Sequence, residues 1–546
     1  MKTDIRHRDG LARSGTLMDK ERTILLPAVI DTDAFFPSLR TKKYTNVPLS
    51  ADPGFVSEYL KQTGSQPVTI HPSLGNPAGN PAESKDGVMV ANWHTAFANP
   101  RQYVNWLVAL KEKTPPDTLW YAPACALPSN AHILCYSGFD LFDYRAVDLR
   151  TAQKIFCTAE GEFPDAAING AGCGCEGCRT GSLKDHNRTA LERELVTIRM
   201  FITQGQVREL VEARSRFHAP HVAIMRHLDN RYEFMELSVP VVRNSTLRAN
   251  SGESLNRPEI RRFRQRVLGR YIPPPADVAV LLPCSAKKPY SLSQSHRRFR
   301  NTIASRAHEL IVTSPLGLVP RELETVYPAM HYDVPVTGHW DAEECAVISA
   351  VLAHYFRKHQ YRRVIAHLEG GALKVAEMAA EACGITLEYS CRDHPAGDEA
   401  LANLDLALAG ERRLKDDRLH GMCSYQFGID LDTRSFSVRG RFPEFFYSRN
   451  NLQCFSIDTA TGMLRPTIDG WNLIPDGYRV TIDNFVPEGD ILVPGVENAD
   501  PQIREGDEVL VVGARAIATG RAALPAGEML RSRRGVAVRV RKIKRV

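Results

Sequence analysis

The sequence predicts a multidomain α/β protein that ends in a small β-barrel, and three observations predict it. At 546 residues the chain is too long for one ordinary core, so three to five domains are expected. Short apolar runs at 278–282 (VAVLL), 309–312 (ELIV) and 363–368 (RVIAHL) have the length and content of buried parallel strands. Helical stretches lie between them, notably 342–358, and this alternation is the rhythm of a three-layer α/β domain. After Tyr478 the apolar segments become short and closely spaced, with Gly489, Gly495 and Gly506 where chain reversals are needed.

The remaining elements follow in order. The run TILLPAVI at 23–30 predicts an early strand, and residues 67–86 form a Pro/Gly/Asn/Ser-rich loop. A helical pattern covers about 100–113, and 119–142 alternates strand-like and helix-like periods. Residues 189–214 place Leu191, Leu195, Ile198 and Ile202 on one helical stripe. A basic helical segment then runs into Pro273, Pro274 and Pro275, a stiff extended break that predicts a domain boundary. From residue 401 onward the signals shorten.

Composition excludes several classes. Hydrophobic content of 43% and charged content of 24% describe a globular protein rather than a disordered or fibrous one. No run approaches the roughly 18 apolar residues of a bilayer span, and the charged start MKTDIRHRDG lacks a signal-peptide core, so no membrane partner is expected and a cytoplasmic location is. The net charge of +6 predicts no partner by itself. Its distribution is more informative: Arg531, Arg533, Arg534, Arg539, Arg541, Lys542, Lys544 and Arg545 crowd the final strand without an acid. They make either a solvated charged edge or one that faces phosphates.

Nine of the 12 cysteines are scattered singly, as buried small hydrophobes are. Cys173, Cys175 and Cys178 instead form a C-x-C-x-x-C loop, a soft thiolate set that suits tetrahedral Zn2+ in a structural role. By spacing, His186 is the nearest candidate for the fourth ligand.

The densest chemical signal is LLPCSAKKPYSLSQSH at 281–296, where an apolar strand runs directly into polar and nucleophilic residues. In open α/β sheets ligands bind beyond the carboxyl ends of strands, where this string falls. Cys284 becomes a candidate nucleophile if Lys287, Lys288 or His296 favours its thiolate; a plain turn with an ordinary thiol and two solvated lysines is the competing reading.

The pattern P-C-S-x-K-K-P-Y-x-x-S-x-S-H resembles the hallmark motif of archaeosine synthases, with every fixed position filled by this chain. The strings at 314–344 and 367–371 (HLEGG) are family-like and follow in order. Residues 478–513 resemble a PUA domain, and 438–471 the small α/β domain that precedes it. The C-x-C-x-x-C loop and the upstream LCYSGFDLFDYRAV are similar to tRNA-guanine transglycosylases, in which Asp143 would stand at the nucleophile's position. The chain departs from that family: it has no D-S-G-G-F/Y-Q or G-G-L-A-V-G-E segment, and no clear counterpart of the downstream zinc histidine. Asp143 is therefore either a nucleophile or a structural loop acid.

The resemblance implies a partial (β/α) barrel-like, transglycosylase-related domain with a zinc loop at 1–215 and a basic helical linker at 216–275. It implies an α/β domain at 276–398, a small pre-PUA α/β domain at 399–476 and an RNA-binding PUA β-barrel at 477–546. It further implies addition of free lysine to the nitrile of 7-cyano-7-deazaguanine in the D-loop of archaeal tRNA, with a radical SAM lyase as downstream partner. Cys284, Ser285, Lys287, Lys288, Ser293, Ser295 and His296, with Asp333 and Glu369 as acids, are the candidate catalytic residues. Since transglycosylases often dimerise, a homodimer is an expectation. The alternatives are base exchange through Asp143, or a non-catalytic tRNA-binding subunit.

Overall fold

The computed structural model describes residues 2–19, 22–31, 88–89, 99–168, 172–334 and 340–546; the loop expected at 67–86 lies outside them. The chain divides into two compact units. One holds 1–239 with 492–494 and 527–536, the other 240–491 with 495–526 and 537–546.

In the first unit, strands Lys2–Asp9, Ala12–Asp19 and Arg22–Leu26 form an antiparallel sheet. The short strands Ala28–Val29, Leu141–Phe142, Trp120–Tyr121 and Val88–Met89 pair in parallel, in that order. Helix Leu183–Gln204 buries the expected stripe of Leu191, Leu195, Ile198 and Ile202. Ser182 caps its start, accepting from the Asp185 N–H, and Gly205 ends it. Arg13 and Asp140 form a buried ion pair at 2.6 Å, in which the guanidinium also reaches the Pro116 carbonyl. Removing one partner of such a pair strands the other's charge, which is the costly change.

The second unit is built on a five-stranded sheet in the order 317–320, 308–313, 278–283, 363–367, 387–391. All pairs are parallel except Gly317–Pro320 on its edge. The apolar run read from the sequence is the central strand Val278–Pro283, and five of its six residues are buried. From this strand the chain passes first to one side and then, through helix Ala342–Lys358, to the other. A topological switch point therefore lies between Val278–Pro283 and Arg363–His367. Asp341 and Glu344 form a reciprocal capping box that fixes where that helix begins.

The triplet Pro273 to Pro275 lies inside this unit, whose boundary falls at 239/240. The basic helix before it, Pro258–Gly269, turns Arg262, Arg264 and Arg266 inward, and its N-cap Arg257 is buried as well. Glu259 sits among them; burial pushes its carboxyl up, but Arg243 and Arg257 outweigh this and hold it at about 2. A four-stranded antiparallel sheet over 437–466 precedes a six-stranded, nearly closed barrel that ends in Val536–Arg545. Among the described residues no helix is long and apolar enough to cross a membrane.

Candidate functional site

Two constellations carry chemistry. The first is the cysteine loop. Cys175 caps the short helix Glu176–Thr180, and His186 lies in the first turn of Leu183–Gln204. His186 Nδ1 approaches the sulfurs of Cys173, Cys175 and Cys178 at 3.4, 3.4 and 3.3 Å. The four ligand atoms all lie within 4.8 Å of one another, so they can hold a metal ion. His186 Nε2 donates to the Cys157 carbonyl at 3.0 Å, which leaves Nδ1 as the free electron pair facing the thiols. Phe156 stacks on the ring at 3.6 Å.

Gly177 is required here because a Cβ would meet the His186 backbone nitrogen at 2.3 Å. Asn187, which follows His186, accepts from the Cys157 N–H and donates to Ile155, so strand and helix hold the ligands in register. The thiols perturb one another. At Cys175 burial pushes up, but the Cys178 N–H and His186 outweigh it and bring the thiol down to about 6. Cys178, raised by burial and by the neighbouring sulfurs, lies at about 12. A cation at the centre would relieve that competition.

The second constellation sits at the switch point of the five-stranded sheet. Cys284 follows strand Val278–Pro283, Ser314 follows His308–Thr313, Glu369 lies two residues beyond Arg363–His367, and Asp393 two beyond Leu387–Cys391. Successive strand ends thus bring four polar residues to one cavity of about 550 Å³. Helix Gly370–Cys383 begins at its wall, where Gly371 leaves room for Trp340: a Cβ there would meet the indole at 2.8 Å. A second opening of about 460 Å³ also reaches Cys284 and Glu369, together with Ser295 and His394. Glu369 Oε2 accepts from the His394 N–H at 3.1 Å.

Burial pushes the Cys284 thiol up; a hydrogen bond with Thr313 and the charge of Lys288 oppose the shift. Lys288 Nζ lies 4.0 Å over the Tyr332 ring, and burial lowers its pKa against the pull of Cys284 and Asp333. Tyr290, Tyr332 and Thr313 form a buried hydroxyl chain behind the thiol, at 2.6 and 2.5 Å.

The other sequence candidates take different places. His296 is fully buried and lines neither opening; Nε2 donates to the Pro283 carbonyl at 3.0 Å and Nδ1 accepts from Arg321 at 2.8 Å. Burial, then Arg321, holds this imidazole neutral, at about 2. Ser293 caps helix Gln294–Ile303 and accepts from the His296 N–H. Ser285 donates to the Lys287 carbonyl at 2.9 Å, and the Lys287 and Asp333 side chains are exposed. Sequence reasoning missed Asp341 and Glu344 as cavity residues, although their D-x-x-E spacing marks a helix start. It also missed Asn250, Ser251 and Trp340, which carry no local signal.

Asp143 is buried at 3% exposure. It accepts from the Tyr121 hydroxyl at 2.7 Å and from the N–H groups of Ala124 and Arg145, each at 3.0 Å. Burial raises its pKa, and Arg145 and these donors moderate the rise.

Two family models match the chain, a domain of unknown function over 260–408 and the PUA domain over 478–544. Similar proteins include an archaeosine synthase subunit alpha of Methanosarcina acetivorans, 39% identical over 82% of this chain and 78% of the relative. An archaeosine synthase of Haloferax volcanii is 34% identical over 99% of both chains. A tRNA-guanine(15) transglycosylase of Methanobrevibacter smithii is 25% identical over 62% of this chain and 48% of its own length. With such similarity along nearly the whole length, the chain belongs to the archaeosine synthase family.

Proposed function

We propose that this enzyme joins the ε-amine of free lysine to the nitrile carbon of 7-cyano-7-deazaguanine in archaeal tRNA, at the cavity that Cys284 and Glu369 flank. The observation that carries this reading is their convergence at the switch point, where open α/β sheets bind ligands. Family membership supplies the reaction class.

A nitrile is a weak, neutral electrophile, so covalent activation helps. Cys284 Sγ adds to the nitrile carbon, a C–S bond forms, and the nitrile nitrogen takes a proton to give a thioimidate. Lysine's ε-nitrogen then forms a C–N bond to the same carbon. The C–S bond breaks, the thiolate leaves, and the amine's surplus proton passes to Glu369. Lys288 beside the thiol stabilises negative charge on the nitrile nitrogen. The carboxylates of Asp341, Glu344 and Asp393 on the cavity wall attract lysine's α-ammonium. Lys287 holds tRNA phosphate, Asp333 tunes Lys288, and Ser285, Ser293, Ser295 and His296 shape the loop that positions Cys284. Burial of the Cys284 thiol favours a second reading, direct attack by lysine with no covalent intermediate.

In the same reading the Cys173, Cys175, Cys178 and His186 set holds structural Zn2+, and the segments 1–215, 216–275, 276–398, 399–476 and 477–546 are the working divisions. The exposed Arg539, Lys542, Lys544 and Arg545 meet tRNA phosphates. The enzyme acts in the cytoplasm as a homodimer, and a radical SAM lyase takes its product.

Mass analysis of cyano-modified tRNA incubated with the chain and lysine tests the proposal. A lysine adduct on the base is the expected result. Intact substrate would make the chain a binding subunit, and labelled deazaguanine entering guanine-containing tRNA would make it a transglycosylase.

A further inference from the structure

Away from this cavity, a smaller pocket of about 250 Å³ opens where helix Arg418–Phe427 meets the four-stranded sheet. Arg418, Phe436, Phe445, Tyr447, Asp416 and Lys415 line it. The Arg418 side chain is only 10% exposed, and the nearest carboxylate oxygen, on Glu324, stands 3.9 Å from Nη2, beyond hydrogen-bond reach. Glu324 is already committed, accepting from the Ser291 N–H, the Ser291 hydroxyl and Arg321. Among the described residues, Arg418 Nε and Nη1 are buried and have no acceptor.

A buried guanidinium with unmet donors destabilises a fold, so its retention points to an acceptor that arrives from outside. The surroundings say what kind. The guanidinium lies 5.1 Å from the Phe442 ring and 5.8 Å from Phe445. Aromatic walls suit a flat ring. The mixed signs of Lys415 and Asp416 disfavour a bare anion. Beside the pocket, strand Ser437–Arg441 is exposed along its whole length and carries Arg439 and Arg441, charges suited to a phosphate backbone.

We infer that this pocket receives one unpaired RNA base, stacked on Phe445 with a keto oxygen accepting from Arg418, while Arg439 and Arg441 hold the flanking phosphates. Unpaired bases are recognised in this way, by aromatic stacking plus edge hydrogen bonds. The inference goes beyond lysine transfer and takes from that reading only that the substrate is an RNA.

Binding of an unmodified tRNA transcript to the full chain tests it, by filter retention across a salt series. Arg418→Met and Phe445→Ser should each weaken binding about tenfold without changing the salt slope. Arg439→Gln with Arg441→Gln should weaken binding and lower the slope by about one to two. Arg418→Met should melt close to the parent, because among the described residues Arg418 Nε and Nη1 have no hydrogen-bond acceptor to lose. Affinities within twofold of the parent for both pocket variants overturn the inference, as does a slope lowered by about one in Arg418→Met, which would mark a phosphate contact. If Arg418→Met does not fold, Phe445→Ser alone decides. A parent chain that binds tRNA but transfers no lysine breaks the functional proposal and leaves the pocket standing; one that binds no tRNA overturns both.

Discussion

His296 Nε2 donates to the Pro283 carbonyl at 3.0 Å, tying the helix Gln294–Ile303 to the residue immediately before Cys284. The motif's histidine thus holds the strand end in place and stands back from the cavity that the cysteine lines.

Burial of this imidazole, and then the charge of Arg321, give stability a pH dependence that the Pro283 hydrogen bond only moderates. Folded His296 stays neutral to about 2, whereas an unfolded imidazole takes a proton below about 6.5. The folded state therefore binds fewer protons at mildly acid pH. The contribution is complete above pH 6.5 and is lost as pH falls, by about 2 kcal/mol between pH 6.5 and 5. Denaturant unfolding at pH 7 and pH 5 should show this loss, and His296→Gln should show less of it while being less stable at pH 7.

For the cysteine loop, elemental analysis of the purified chain should find one bound metal. Cys175→Ser should lose it and lower the melting temperature. Gly177→Ala should do the same without touching a ligand, because its Cβ would overlap the His186 nitrogen. Metal retained at full occupancy in Gly177→Ala would contradict the tight geometry of this loop.

At the cavity, Cys284→Ala should reduce lysine transfer by about a hundredfold or more if the thioimidate forms. Full retention removes the covalent route and leaves direct attack. Because burial raises the thiol's pKa, a thiolate-dependent rate should climb with pH through the alkaline range, and Lys288→Met should shift that climb further up. Glu369→Gln should slow the chemical step, read as a fall in kcat for lysine.

Asp143→Asn should leave lysine transfer within about threefold of the parent. It should cost about 1–3 kcal/mol of stability, the usual penalty for disturbing a buried, hydrogen-bonded acceptor. A loss of activity with unchanged unfolding would instead give Asp143 a catalytic role.

Much of the site's inventory was legible because it is local. Three cysteines within a C-x-C-x-x-C loop can serve one ion whatever the rest of the chain does, and His186 was within reach by spacing. The buried strand Val278–Pro283 announced itself as an apolar run, and Cys284 as its first polar consequence. Helix Ala342–Lys358 was readable from its period, although its capping box at Asp341 and Glu344 was not read. Glu369 was named from the HLEGG string, but nothing in that string says that it lines the same cavity as Cys284.

What the sequence determined by itself, then, was the α/β class, the cysteine and histidine set that could hold a metal, and the strand end that carries Cys284, since each depends on residues near one another along the chain. Tertiary structure decided the rest. Pairing Arg363–His367 beside Val278–Pro283 creates the switch point and brings Glu369 and Cys284 to the lining of one cavity. The same packing turns His296 inward onto a carbonyl, buries Arg262, Arg264 and Arg266 of Pro258–Gly269, and leaves Arg418 Nε and Nη1 without an acceptor among the described residues. These outcomes rest on contacts between residues tens to hundreds of positions apart, and such contacts leave no periodic trace in any short window of sequence.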